Sequence, residues 1–316
     1  MRGIKNYYKI ARLDHWVKQL FVLPGAWLAL SMIGTKPPIE LIYRLGLGLL
    51  ATSAAASANY CINEWLDMEF DQFHPIKKYR PFVTSKLKTS IVLTEYTFFI
   101  VIALIMASFV SIPVFMAELI LLLMGIFYNV KPFRTKDIPY IDVLSESINN
   151  AIRLLVGWFC VTNQYWPPIS IVVGYWMGGA FLMAAKRFSE YRMIGDPEQA
   201  KLYRKSFGRY TELRLLVSAI FYGKLAVFFC GVFLIKYKVE LLILIPFICI
   251  LFCYYLSICF KSDSAAQRPE KLFRERRLVL LCAVVIAVFV ICSIVSIPAL
   301  NVFLRTDLIP LFNGAH

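Results

Sequence analysis

Long apolar stretches alternate along the chain with short polar or basic ones. The apolar windows predict nine helical spans, at 16–34, 41–62, 90–110, 114–130, 141–161, 168–186, 213–235, 239–260 and 278–300. A helix needs about 20 mainly apolar residues to cross a hydrocarbon core. Leu278 to Leu304 supplies 27 without one charge; Thr89 to Val130 carries only Glu95 and Glu118 in 42, with Pro113 at the turn between two spans. The pattern therefore predicts an all-α integral membrane protein, a bundle of nine transmembrane helices. No Gly/Ser linker, low-complexity tract or repeat divides it, so residues 1–316 read as a single domain. Two connections are long, 63–89 and 187–212, and such loops in compact proteins are usually functional or disordered. Trp65, Phe70, Phe73, Tyr79, Tyr191, Tyr203, Phe207 and Tyr210 fall in them, so both are expected to fold as caps over the bundle.

Composition excludes a soluble chain: 59% of residues are hydrophobic, against roughly 45–50% in globular proteins. Charge then orients the bundle. Lys and Arg number 5 in 1–18, 5 in 77–88, 3 in 131–136, 8 in 186–214 and 6 in 261–277, which is 27 of 34. The intervening segments hold only Lys36, Lys236, Lys238 and Arg305. By the positive-inside rule the N-terminus and the caps face the cytoplasm, and the C-terminus lies outside a plasma (inner) membrane. The net charge of +14 then answers to topology and to an anionic substrate, and needs no nucleic acid.

Met1 to Lys18 carries no cleavable small-residue site and reads as a basic amphipathic arm on the inner leaflet, or as a plain topogenic cluster. The eight cysteines all fall in apolar segments, where a free thiol behaves as a small hydrophobe. Three scattered histidines make no zinc or haem site.

The chemistry concentrates in two stripes. Asn59, Asn63, Asp67 and Asp71 step by four residues, one face of a helix with about 6 Å between successive positions. Lys77, Lys78 and Arg80 follow at once. Two carboxylates at a span end suit Mg2+, which takes one or two carboxylates and fills its octahedron with water and substrate phosphate. The plain alternative is an exposed acidic helix end answered by a basic loop. Asp142, Glu146, Asn149, Asn150 and Arg153 form the second stripe, running more than two turns into a span. Ionisable groups at such depth cost roughly 2.5–3.5 kcal/mol each by insertion scales, so they are expected to face a cavity or one another. Arg153 either pairs with Glu146 or meets a substrate phosphate. Two basic groups complete the picture: Tyr128-Asn-Val-Lys131-Pro-Phe-Arg134-Thr-Lys136 leaves the fourth span, and Lys186-Arg187-Phe-Ser-Glu190-Tyr-Arg192 leaves the sixth.

At these residues the chain resembles the UbiA superfamily of intramembrane prenyltransferases, nine-helix bundles with a cytoplasmic-side cavity. Asn63-x-x-x-Asp67-x-x-x-Asp71 is similar to that family's first aspartate-rich motif. The family's second such motif, after the sixth span, is replaced here by Lys186-Arg187-x-x-Glu190. That departure resembles the decaprenyl-phosphate phosphoribosyltransferase branch, as do Asp71-x-x-His74-Pro75-x-Lys77-x-x-Arg80-Pro81, Tyr128-x-x-Lys131, Lys136-x-x-Pro139-x-x-Asp142-Val143 and Arg204-Lys205-Ser206. The resemblance implies catalytic roles for Asn63, Asp67 and Asp71, the two aspartates holding a donor diphosphate through Mg2+. It makes Lys77, Arg80, Tyr128, Lys131, Lys136, Arg153, Lys186 and Arg187 candidates for phosphate contacts, supported by Asn59, Asp142, Glu146 and Glu190. The implied reaction moves 5-phosphoribosyl from phosphoribosyl diphosphate to a polyprenyl phosphate.

Chemistry favours that reaction on its own terms. A phosphate monoester is already largely dianionic at neutral pH and needs no general base. Three anionic groups would explain one acidic site among many cations. Two other functions are compatible with the pattern. One is an ordinary UbiA-type transfer from a prenyl diphosphate to an aromatic or lipid acceptor, with Glu190, Asp196 and Glu198 standing in for the second motif. The other is a transporter or lipid flippase using Asp142, Glu146 and Arg153 as a relay.

Overall fold

The computed structural model describes residues 9–34, 39–84, 88–261, 264–267, 272 and 274–304. Expectations resting on the first eight residues, on Lys36 and on Arg305 lie outside these. Among the described residues every regular element is helical. In chain order the main ones are α1 (Leu13–Ile33), α2 (Leu41–Asp71), α3 (Thr89–Ser108), α4 (Ile112–Asn129), α5 (Ile141–Val161), α6 (Ile169–Ile194), α7 (Pro197–Tyr203), α8 (Glu212–Tyr237), α9 (Val239–Cys259) and α10 (Arg276–Ile294). Eight of them, all but α5 and the short α7, are long and apolar enough to cross a membrane. The expected ninth span falls on α5, whose 21 residues suffice in length while Asp142, Glu146 and Arg153 dilute its hydropathy.

That polarity reflects where α5 sits. It packs against α1, α2, α4 and α6, in the middle of the bundle. One apolar core joins α1 to α5 and a second joins α5 and α6 to α8 and α9. Peripheral helices show the reverse: α10 buries only Leu278 and Cys292 and leaves Leu280, Ile286 and Ile291 exposed. An apolar surface of this extent is what lipid, not water, covers.

Close approach depends on small side chains, as is usual between membrane helices. Residues 51–58 of α2, Ala-Thr-Ser-Ala-Ala-Ala-Ser-Ala, are all buried. Where α1 crosses α5, a Cβ on Gly25 would meet the Leu154 carbonyl oxygen at 1.9 Å, and one on Gly157 would meet that of Val22 at 1.9 Å. Contact between these backbones brings Gln19 of α1 to Arg153 of α5, with Nε donating to Oε1 at 2.7 Å.

Two boundaries differ from the hydropathy reading. The second span was expected to end at 62, but α2 continues to Asp71; the sixth was expected to end at 186, but α6 continues to Ile194. Both are polar helix ends held by ion pairs inside the protein, so apolarity stops before the hydrogen-bond ladder does. Gly195, at φ 72°, closes α6 in the left-handed conformation that glycine adopts without steric cost. The caps are therefore shorter than expected and consist mainly of residues 72–84, α7 and the 3-10 turn Lys205–Arg209.

Candidate active site

The C-terminal ends of α2, α4 and α6 meet the N-terminal halves of α1 and α5 around a cavity of about 1070 Å³. The segment after α2 and the α7 cap close over it. Because α2 stays helical to Asp71, Asn59, Asn63, Asp67 and Asp71 all line this cavity, as the four-residue step requires. Each side chain is held. Asn59 lies over Gly125, where a Cβ would meet its Oδ1 at 1.9 Å, and its amide donates to the Leu121 carbonyl at 3.1 Å. Asp67 accepts from Lys136 and, at 3.1 Å, from Arg134. Asp71 accepts from Arg80 at 2.7 Å.

Lys136 does not reach the main cavity. Its ammonium sits behind Asp67, with Asn129 Oδ1 at 2.8 Å and Asn63 Oδ1 at 3.3 Å. Burial pushes this lysine down to about 8 although the Asp67 charge pulls the other way. Lys136, expected as a phosphate contact, thus stands behind Asp67 and outside the lining of the main cavity. Lys131 is exposed and lines no part of the cavity. It leaves α4 with its side chain outside the ring of polar groups, so its expected phosphate contact is not among those the fold brings together.

Arg187 organises the second cluster. Its guanidinium meets Glu146, Glu190 at 3.3 Å and Asp142 at 3.6 Å. Tyr128 donates to Glu146 at 2.7 Å and accepts from Arg204 at 2.6 Å. Glu190 also takes Lys77 at 3.0 Å, and the same ammonium bonds Tyr203 of the α7 cap. Burial lowers Lys77, with Glu190 opposing. Asp142 lies in the first turn of α5, outside the cavity lining, where Tyr210 at 2.8 Å and Ser206 at 3.2 Å hold it. It anchors the cap to α5 and touches no cavity wall. Arg153 does line the cavity but does not pair with Glu146: its partners are the neutral Gln19 and, at 3.1 Å, Asn150. The Arg153–Glu146 bridge is thereby excluded, because Glu146 is taken by Arg187.

The cavity also gathers residues that the motif reading did not single out as site residues. Arg12, His15 and Lys18 enter from α1 and the residue before it, so the expected surface arm is, from Arg12 on, part of the site wall. Glu64 lies within 3.9 Å of Arg12 and 3.8 Å of Arg80. His74 accepts backbone N–H groups of Ile76 and Lys77 at 3.1 Å on Nδ1. Burial, with Lys77 beside it, pushes this histidine down to about 3, so the ring is neutral at ordinary pH. Tyr203 and Arg204 complete the cap side.

Residues 20–281 match the model of the UbiA prenyltransferase family. The chain belongs to that family. Among curated relatives, it is 29% identical over 184 residues to a protoheme IX farnesyltransferase of Bacillus thuringiensis, covering 56% of this chain and 59% of that one. It is 24% identical over 212 residues to a decaprenyl-phosphate phosphoribosyltransferase of Mycobacterium tuberculosis, covering 67% and 68%. The match thus spans about three-fifths of the farnesyltransferase. Among solved structures, a UbiA homolog from Archaeoglobus fulgidus bound to DMAPP and Mg2+ shares the fold, with TM-score 0.67 and 20% identity over 92% of this chain and all of that one. The UbiA fold explains why residues 63–80, 128–136, 146–153 and 186–204 converge although the sequence scatters them. Arg12 and Lys18 had one signal in the sequence, their place among the segregated basic residues, which topology alone already accounted for; Arg204 had a second, its place in the Arg204-Lys205-Ser206 stretch.

Proposed function

We propose that this UbiA-family enzyme transfers 5-phosphoribosyl from phosphoribosyl diphosphate to a polyprenyl phosphate, with Mg2+. One observation carries the choice of donor. A conventional prenyl-diphosphate site would need Glu190, Asp196 and Glu198 to act as a second acidic motif. Glu190 is spent on Lys77 and Arg187. Asp196 and Glu198 are exposed and line no part of the cavity, and Asp196 caps α7 by accepting the Glu198 N–H at 3.1 Å. The inner end of α6 therefore presents cations where that reading needs carboxylates.

Asp67 and Asp71 fit Mg2+ that arrives with its substrate. They stand one turn apart on the cavity face of α2, and among the described residues no set of three or more acidic, His or Cys side chains forms a complete metal shell. Asp67 and Asp71 would hold the ion together with donor phosphate oxygens, the one or two carboxylates and substrate phosphate that Mg2+ accepts. When bound, the ion neutralises charge on the departing diphosphate. The chain's own residues position and balance the anions. Arg80, now on Asp71, is placed to turn to phosphate oxygens and release that carboxylate, and Lys77, held by Glu190 and Tyr203, lines the cavity beside it. Cations aimed at developing negative charge in an enclosed site supply most of the stabilisation such a reaction needs.

In the transfer a lipid phosphate oxygen forms a bond to the anomeric carbon as the bond from that carbon to diphosphate breaks, with inversion. The dianionic nucleophile brings no proton to remove, consistent with a cavity whose His74 already has Nδ1 committed to two backbone N–H groups. By the positive-inside rule the cavity mouth faces the cytoplasm, the side on which a soluble donor is made available. A transporter role has no support in the family match.

Labelled phosphoribosyl diphosphate, Mg2+ and polyprenyl phosphate with the purified chain in detergent are expected to give a charged glycolipid. Folded protein that makes none, yet prenylates an aromatic acceptor from a prenyl diphosphate, overturns the proposal.

A further inference from the structure

The cavity cations fall into two electrical classes. Lys77, Arg80 and Arg187, like Arg134 and Lys136 behind the wall, each lie within 4 Å of a carboxylate. Among the described residues Lys18, Arg153 and Lys186 do not, and neither do Lys9, which is exposed, and Arg204, held by Tyr128 at 2.6 Å on the cap side. Lys18 bonds only the His15 ring among the described residues, at Nδ1, 2.9 Å away. Arg153 bonds two amide side chains. Lys186 has no hydrogen bond or ion pair among the described residues. The three come from α1, α5 and α6 and line one cavity, none of them exposed. Lys18 lies among the others, with Lys186, Arg12 and Arg153 the charges acting most on it, while Glu190 and Glu146 act on Lys186 from beyond contact distance. The charges acting most on Asp67 and Asp71 are a different set, Lys136, Arg134, Arg204, Arg80 and Lys77.

Gathering like charges out of water with no carboxylate in contact is costly, and a fold that does so leaves a seat for an anion. Beside the trio the cavity lining turns apolar, with Phe21, Leu182 and Met183. An anionic head joined to a hydrocarbon chain matches that pairing.

We propose that Lys18, Arg153 and Lys186 seat the phosphate monoester of the lipid acceptor, apart from the Asp67–Asp71 stripe that takes the donor diphosphate. This rests on the phosphoribosyl-transfer reading for the identity of the acceptor, and it adds Lys18, on α1, to the residues that select it. Separate seats hold nucleophile and leaving group on opposite sides of the reacting carbon, as in-line displacement demands. The seat also sets specificity: a dianionic monoester satisfies three cations better than the single charge of a phosphodiester or the neutral hydroxyl of a phenol.

Farnesyl phosphate tests this without donor or Mg2+, so turnover does not enter. With the full chain in detergent, Lys18→Met and Lys186→Met are each expected to weaken farnesyl phosphate binding about 10- to 100-fold, the range for a charge-assisted contact. Affinity for phosphoribosyl diphosphate with Mg2+ is expected to change less than about threefold, since the donor lies at other charges. Among the described residues neither lysine has an ion-pair partner within 4 Å to strand, so both ligand-free variants are expected to unfold no earlier than wild type. Inorganic phosphate is expected to bind more weakly than farnesyl phosphate. Unchanged farnesyl phosphate binding in both variants, or a loss confined to the donor, overturns the seat. Lower ligand-free stability with binding retained marks the trio as structural, and equal affinity for inorganic phosphate removes the lipid from the assignment. If the binding pattern holds but the enzyme transfers prenyl groups, the reaction assigned above fails and the seat stands. Phosphoribosyl transfer with lipid binding intact in the variants gives the converse.

Discussion

Asp67→Asn is expected to do two separable things, and their separation tests the organisation of the site. The substitution keeps the shape of the side chain and removes one charge. Lys136 and Arg134 both bond that carboxylate, so part of a buried ion network goes with it. Breaking a buried pair by removing one partner typically costs about 3–5 kcal/mol. The expected loss here is smaller, about 1–3 kcal/mol, the range for hydrogen bonds to charged groups. Both cations keep other acceptors: Lys136 retains Asn129 Oδ1 at 2.8 Å and Asn63 Oδ1 at 3.3 Å, and Arg134 retains Asp137 at 3.1 Å and the Asn129 carbonyl at 3.0 Å. Unfolding in detergent would be followed for wild type, Asp67→Asn, Lys136→Met and the double variant. The cycle is expected to show coupling of about 1–3 kcal/mol, because the partners are in contact. Turnover should be lost in both variants that carry Asp67→Asn, since pairing with Lys136 is not what the donor's metal needs. Additive stability changes would refute the pairing, and retained turnover in Asp67→Asn would refute the metal role.

Arg187→Lys is expected to destabilise the chain by about 3–5 kcal/mol despite keeping the charge, because one ammonium cannot serve Asp142, Glu146 and Glu190 from three sides of a planar fork; yield of monodisperse protein and its unfolding midpoint check this. Gly157→Ala is expected to force α1 and α5 apart, since its Cβ would lie 1.9 Å from the Val22 carbonyl oxygen, with loss of folded protein. Gly46→Ala, where a Cβ would meet nothing within 4 Å, is expected to be neutral or stabilising by up to about 1 kcal/mol, and comparing expression of the two decides the matter.

How much of this was legible in the sequence differs by level. Membrane insertion, the all-helical class and eight of the spans follow from hydropathy, because a bilayer admits few alternatives to long apolar helices. The α2 stripe was legible too: a step of four residues defines a helix face without any tertiary information. Hydropathy misplaced the ends of α2 and α6, because charges paired inside a protein do not end a helix as charges in water end an apolar run.

What only the tertiary structure decided was partnership. Sequence placed Arg153 and Glu146 on one face and allowed them to pair, whereas the fold brings Arg187 to Glu146 from another helix and leaves Arg153 with amides. It set Lys136 behind Asp67, Asp142 against the cap and Lys131 outside, though all three stood among the predicted site residues. It also moved Lys18 from a presumed surface arm into the cavity wall. Periodicity along one helix states which residues share a face. The counter-charge each one finds depends on helix crossings, such as Gly25 against Gly157, that no local pattern encodes.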